Sequence, residues 1–204
     1  MKKPAPLNEE IILSPARYIM SKTDPKGIIE YANEYFIEIS EYSEFELMGQ
    51  PHNIIRHPDM PQTIFKLMWE RLHKGENIYA LVKNLAKSGK YYWVLTSFKT
   101  KYDEDGNIIS HHSFRKAAPP QAVKKIERLY KVLRNIEHTS GMNVAVKYFL
   151  GLLEDKGKTY DEFILDILNI DEATIKQYFD VESLVFTNKK KYKKSIFTRL
   201  FGKG

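Results

Sequence analysis

Two short turns, Lys87-Ser88-Gly89-Lys90 and Asp103-Glu104-Asp105-Gly106-Asn107, do most to limit what this chain of 204 residues can become. They separate three runs rich in β-branched and aromatic residues, about 77–86, 90–102 and 108–117. Connections this short join strands only as antiparallel hairpins. A third turn, Asp24-Pro25-Lys26-Gly27, splits YIMSKTDPKGIIEYA (18–32) into two more short strands. Proline presets the second turn position there, and glycine supplies a positive φ. Between the two groups of strands the apolar period changes from two to 3.6. Asn33 can cap a short helix, Ser43 and Glu46 form a capping box, and Gly49 stops the second helix. Pro61 can start a longer helix, in which Ile64, Phe65, Met68, Trp69 and Leu72 form an apolar stripe that ends at Gly75. Strands, short helices, then strands give an α+β domain with an antiparallel sheet and its helices on one face.

After Pro119-Pro120 the pattern becomes helical throughout. Ala122, Ile126, Leu129, Leu133 and Ile136 recur at spacings of four and three, a seam about two heptads long. It suits packing on its own domain and a homodimer or partner helix equally. Three more helices are expected in 142–157, 159–170 and 171–186, with Thr159 and Glu162 as another capping box. The expected organisation is an N-terminal segment (1–17), a strand-rich domain (18–118), an all-α region (119–187) and a basic tail (188–204).

Charge is confined to that tail. Residues 188–204 hold seven basic residues and no acidic ones, and removing those seven from the 32 basic residues leaves 25 against 26 acidic ones. A neutral body without an aromatic–basic stripe argues against nucleic acid. The five lysines of 189–194 and the two phenylalanines that follow, Phe197 and Phe201, suit either peripheral contact with an anionic membrane or a solvated end. With no cysteine in the chain, disulfides, iron–sulfur clusters and thiol nucleophiles are excluded. There is no GxSxG, P-loop, GxGxxG or HExxH, so no catalytic class is indicated.

The stretch KTDPKGIIEYANEYFIEISEYSEFELMGQPHNIIRHPDMP, followed by ALVKN and KYYWV, resembles the PAS domain of bacterial aerotaxis receptors over about residues 15–118. GQPHNIIRHPDMP is its most specific part. The resemblance implies a five-stranded antiparallel sheet in the order 2-1-5-4-3, a helical face and a non-covalently bound FAD. It also implies redox or energy-taxis signalling by contact with a receptor. In the segment where the family usually has a tryptophan, this chain has Ile78. Read on its residues, the proline-flanked path can aim Arg56 and His57 together as an anion clamp, with Asp59 orienting them or accepting from a ribose hydroxyl. Phe65, Trp69, Tyr92, Trp93 and Phe114 are candidate walls for a flat ring. Tyr92 and Trp93 face opposite sides of their strand, so only one of them can serve. Asn33 and Asn84 match family asparagines and are the polar candidates.

Haem b is the alternative cofactor, since other PAS domains hold it through histidine. His111 and His112 are adjacent in a strand and point to opposite faces, so only one could enter a pocket. The expected partner is a membrane-bound chemoreceptor-like protein that supplies the anchor and signalling domain this chain lacks. The expected location is cytoplasmic, with peripheral contact at the inner membrane if the tail binds it.

Overall fold

The computed structural model describes residues 3–180. The basic tail and the end of the last expected helix lie outside the described residues. Residues through Asn169 form one compact unit, and those from Ile170 a second.

The first unit opens with β1 (Ile19–Thr23) and β2 (Ile29–Ala32), joined by the Asp24–Gly27 turn. The Asp24 carboxylate accepts from the backbone N–H groups of Lys26 and Ile28, closing that turn. Then come α1 (Glu34–Ser40), α2 (Glu44–Leu47), a 3-10 turn (His52–Ile55) and α3 (Gln62–His73). The Asn33 cap and the Ser43–Glu46 capping box form as the sequence predicts. The three remaining strands are β3 (Ala80–Leu85), β4 (Tyr91–Tyr102) and β5 (Ile108–Ala117). All pairings are antiparallel, in the order β2-β1-β5-β4-β3.

The helices of the strand-rich domain lie on one face of the sheet, as expected, and a helix of the C-terminal region packs on the other. α1–α3 and the 3-10 turn lie over one side. The other is covered by α4 (Pro120–Ser140), whose Tyr130 ring stacks on Trp93 of β4 with centroids 6.2 Å apart. The Tyr130 hydroxyl donates to the Leu81 carbonyl of β3 at 2.7 Å. Three residues of the expected seam, Ala122, Ile126 and Leu133, are buried together with Tyr130, while Leu129 and Ile136 are half-buried.

α5 (Met142–Asp155) turns back at Gly141, and α6 (Tyr160–Leu168) follows after the Thr159–Glu162 capping box. Arg71 near the end of α3 makes a bidentate pair with Asp161 of α6, both contacts at 2.8 Å. The second unit contains α7 (Glu172–Tyr178), capped by the Asp171 side chain. No helix among the described residues is long and apolar enough to cross a membrane.

Candidate functional site

Strand alternation decides what faces α3. Val82 and Asn84 of β3, Thr96 and Phe98 of β4, and His111, Ser113 and Arg115 of β5 all point to the α3 side. With Phe65, Met68, Trp69 and Leu72 of α3 they enclose a cavity of about 400 Å³. Trp69 can lie over the first turn because Gly27 has no side chain. A Cβ there would come within 3.0 Å of the indole, at a φ of +85°. The lining has four permanent cations, Lys26, Arg56, Lys66 and Arg115, and no carboxylate.

Three buried polar atoms on lining residues have no hydrogen-bond partner: Asn84 Nδ2, Thr96 Oγ1 and His111 Nε2. The other ring nitrogen of His111 is engaged, 3.1 Å from Thr100 Oγ1. Buried groups of this kind normally find partners, so their clustering at one cavity marks a site that expects a ligand.

Arg115 is the most constrained of the cations. It is 4% exposed and has no carboxylate partner among the described residues. Its Nη2 donates to His52 Nε2 at 2.7 Å, and both terminal nitrogens reach the Ser21 hydroxyl. Burial brings its pKa down to about 10, so it remains charged at neutral pH. His52, stacked on Phe36, is pushed well below its ordinary pKa by burial and by the Arg115 charge. Its neutral ring can then accept from the guanidinium.

Of the residues expected from sequence, Arg56, Phe65, Trp69 and Asn84 line this cavity. The Arg56 guanidinium lies 3.9 Å over the Phe65 ring, and its backbone bridges Asn84, so the proline-flanked loop closes the free edge of β3. Tyr92 sits in β4 opposite Asn84, fully buried, with its hydroxyl making no aligned hydrogen bond. Trp93 is on the opposite face, against α4. Asn33 is off the cavity and fully used. It accepts from the N–H groups of Met20 and Phe36 and donates to the Tyr18 carbonyl.

Arg56 and His57 meet at a second cavity and not at the first. His57 lines a neighbouring cavity of about 850 Å³ that shares Asn53, Arg56 and Gln62 with the first. Its Nδ1 accepts from the Asp59 backbone N–H at 3.0 Å. Asp59 turns outward, pairing with Lys83 at 2.8 Å and Arg134 at 3.2 Å. Burial raises the Asp59 carboxyl, but Lys83, His57 and Arg134 outweigh it and hold the pKa below the ordinary value. Ile78 is buried behind the wall, packed with Met68, Leu72, Trp69 and Phe98. Sequence reasoning missed His52, Thr96, Ser113 and Arg115. The signal was a polar residue at every second position of β5.

His57 sets an acid limit on the fold. Burial, then Lys83, lowers its pKa to about 4, so the unfolded chain binds the extra proton between about pH 4 and 6.5. Stability therefore rises with pH through that window. Urea denaturation should show a loss of about 2 kcal/mol between pH 7 and pH 5 from this residue. His57→Gln should remove most of that loss, and an unchanged pH profile would refute the assignment.

Residues 29–115 match the family model described as PAS fold. Residues 29–115 form a PAS domain. Over 115 residues the chain is 43% identical to the aerotaxis receptor of Escherichia coli (strain K12), a match covering 56% of this chain and 22% of that protein. It is 29% identical over 87 residues to the biofilm dispersion protein of Pseudomonas aeruginosa, covering 42% of this chain and 21% of the relative. The chain thus spans about a fifth of the length of either relative. The light-state structure of the Aureochrome1 light-oxygen-voltage domain covers 59% of this chain at 22% identity, with a TM-score of 0.48. The GQPHNIIRHPDMP motif of this PAS domain is the loop that joins its cavity to α4.

Proposed function

We propose that this PAS domain binds a flavin, FAD in particular, and reports its redox state by contact to a chemoreceptor-type signalling partner. The observation that carries the reading is the cavity of about 400 Å³, with apolar walls, three unpartnered buried polar atoms and cations without a carboxylate. The residues fit the group. Phe65, Met68, Trp69, Leu72, Val82 and Phe98 give the flat apolar surroundings a fused ring needs. Asn84, Thr96 and His111 offer donors and acceptors for a polar ring edge. The adjoining cavity, which shares Arg56 and is lined also by Lys3, Pro4 and His57, has room and charge for the nucleotide half of a dinucleotide. That favours FAD over a mononucleotide.

A bound flavin supplies reversible electron transfer, with negative charge or protons gained on reduction. This chain's residues exclude water from the ring site, hold a fixed positive charge at Arg115 and keep the Asn84 amide free to form or lose a hydrogen bond. Because Asn84 is bridged to Arg56, a change at its side chain pulls on the loop that closes the β3 edge. The similarity to an aerotaxis receptor supports reading that movement as a taxis signal. A role without catalysis, in the cytoplasm, belongs to the same reading.

Haem b is a second reading, and His111 favours it. A histidine with one ring nitrogen held by a hydroxyl and the other unpartnered would be free to supply that nitrogen to a haem iron. An absorption spectrum of the purified protein, before and after dithionite, separates the cases. Two yellow bands that bleach are expected, and extraction should yield FAD. A Soret band would move the cofactor to haem and the ligand to His111. A colourless protein that stays so after incubation with FAD would leave an interaction module. Asn84→Ser should retain flavin but signal identically in both redox states. Redox-dependent signalling preserved in that variant would remove Asn84 from the route.

A further inference from the structure

We infer that the outer face of α4 is the output surface of this PAS domain, and that it receives an acidic stripe along a helix of a partner protein. The inference rests on the flavin reading for what drives the surface, though not for the surface itself. Lys124, Arg128 and Lys131 recur at i, i+4 and i+7 and are all exposed, with Lys125 beside them. They line up over about 10 Å of helix. None of Lys124, Arg128 and Lys131 makes an ion pair among the described residues. The helix has only two acidic residues, Glu127 and Glu137. Glu137 is turned inward, accepting from the N–H and hydroxyl of Thr63 at 2.7 and 2.8 Å.

This spacing matches the acidic edge positions of a helix, where opposite charges three and four residues apart set pairing and orientation. A lipid surface fits less well. Val132 is the one large apolar residue of α4 among the exposed hydrophobic residues, so the stripe has little to insert beneath the headgroups.

The same helix is tied to the cavity at two points. Arg134 holds Asp59, three residues from the cavity-lining Arg56. Glu137 caps the start of α3, which has no side-chain cap of its own after Pro61 and carries the Phe65, Met68, Trp69 and Leu72 wall. A shift of α3 or of the 56–60 loop is therefore passed to the helix that displays the stripe. Glu137 acts as a positioning residue.

The test uses the full chain with flavin bound. The first probe is a fluorescein-labelled helical peptide with glutamates at i, i+4 and i+7, and the second is its glutamine counterpart. The third is vesicles of phosphatidylserine and phosphatidylcholine. The glutamate peptide should bind at least tenfold more tightly than the glutamine one, and more weakly as salt rises. Lys124→Glu, Arg128→Glu and Lys131→Glu together should lose at least tenfold of that binding, with flavin absorption and Tm unchanged. Affinity should differ at least threefold between oxidised and dithionite-reduced protein, and Glu137→Gln should abolish the difference while keeping the binding. Triple-variant binding equal to wild type would overturn the surface, as would vesicle binding without peptide binding. Equal affinity in both redox states would overturn the coupling. Colourless protein that still binds the glutamate peptide through these residues would support the surface and defeat the cofactor reading instead.

Discussion

Tyr130→Ala should lower the unfolding free energy by about 4 kcal/mol. The ring is 2% exposed and stacks on Trp93, and its hydroxyl donates to the Leu81 carbonyl at 2.7 Å. Truncation removes a large buried aromatic, opens a cavity between sheet and helix, and leaves a buried carbonyl without its partner. Tyr130→Phe isolates the last of these and should cost about 1 kcal/mol. Urea denaturation of both variants makes the comparison. A loss below about 1 kcal/mol for the alanine variant would mean that α4 is not docked on the sheet in solution, and the output route through it would fall as well.

If a flavin occupies the cavity as proposed, Arg115→Met should lower its midpoint potential by about 100 mV. A unit charge acting on another across 5–7 Å at an effective dielectric near 20 contributes roughly 2–3 kcal/mol, and 1.4 kcal/mol corresponds to about 59 mV for one electron. Arg115 is suited to that role because its charge is buried and no carboxylate among the described residues cancels it. His52 and Ser21 accept its hydrogen bonds as neutral groups. Removing it therefore withdraws a full positive charge from the cavity wall, where a salt-bridged arginine would take its compensation with it. Spectroelectrochemistry of wild type and variant gives the shift directly. A change under about 20 mV would place the charge too far from the ring to tune it. Loss of flavin binding altogether would make Arg115 an anchor for the cofactor and not a regulator of its potential.

Local chemistry was legible in the sequence wherever a short stretch settles its own conformation. The Asn33 cap, the Ser43–Glu46 and Thr159–Glu162 boxes and the turns at Asp24–Gly27 and Asp103–Asn107 depend on neighbours within five residues. Sheet order came with the resemblance. What could not be read was which face of each strand turns to α3, because the middle of β4 is buried on both sides and Tyr92 and Trp93 look alike to any pattern. Once His111 is placed inward, Ser113 and Arg115 follow by alternation, and the buried cation becomes visible. In the RHPDMP loop Arg56 is extended, with φ −73° and ψ 122°, and it lines both cavities, whereas His57 lines only the second. Asp59 was claimed from 75 positions away, by Arg134. Local spacing has no access to that distance.

The bridge between Arg56 and Asn84 carries one more consequence. β3 lies at the rim of the sheet, and the proline-stiffened loop occupies part of its outer hydrogen-bonding row. A loop that swung clear to send a message would bare that row to any passing strand, and repeated sensing would then become repeated invitations to aggregate. The useful movement must therefore be small, a slide or tilt with the bridge kept closed. A sensor built this way trades the size of its motion for the number of times it can be used.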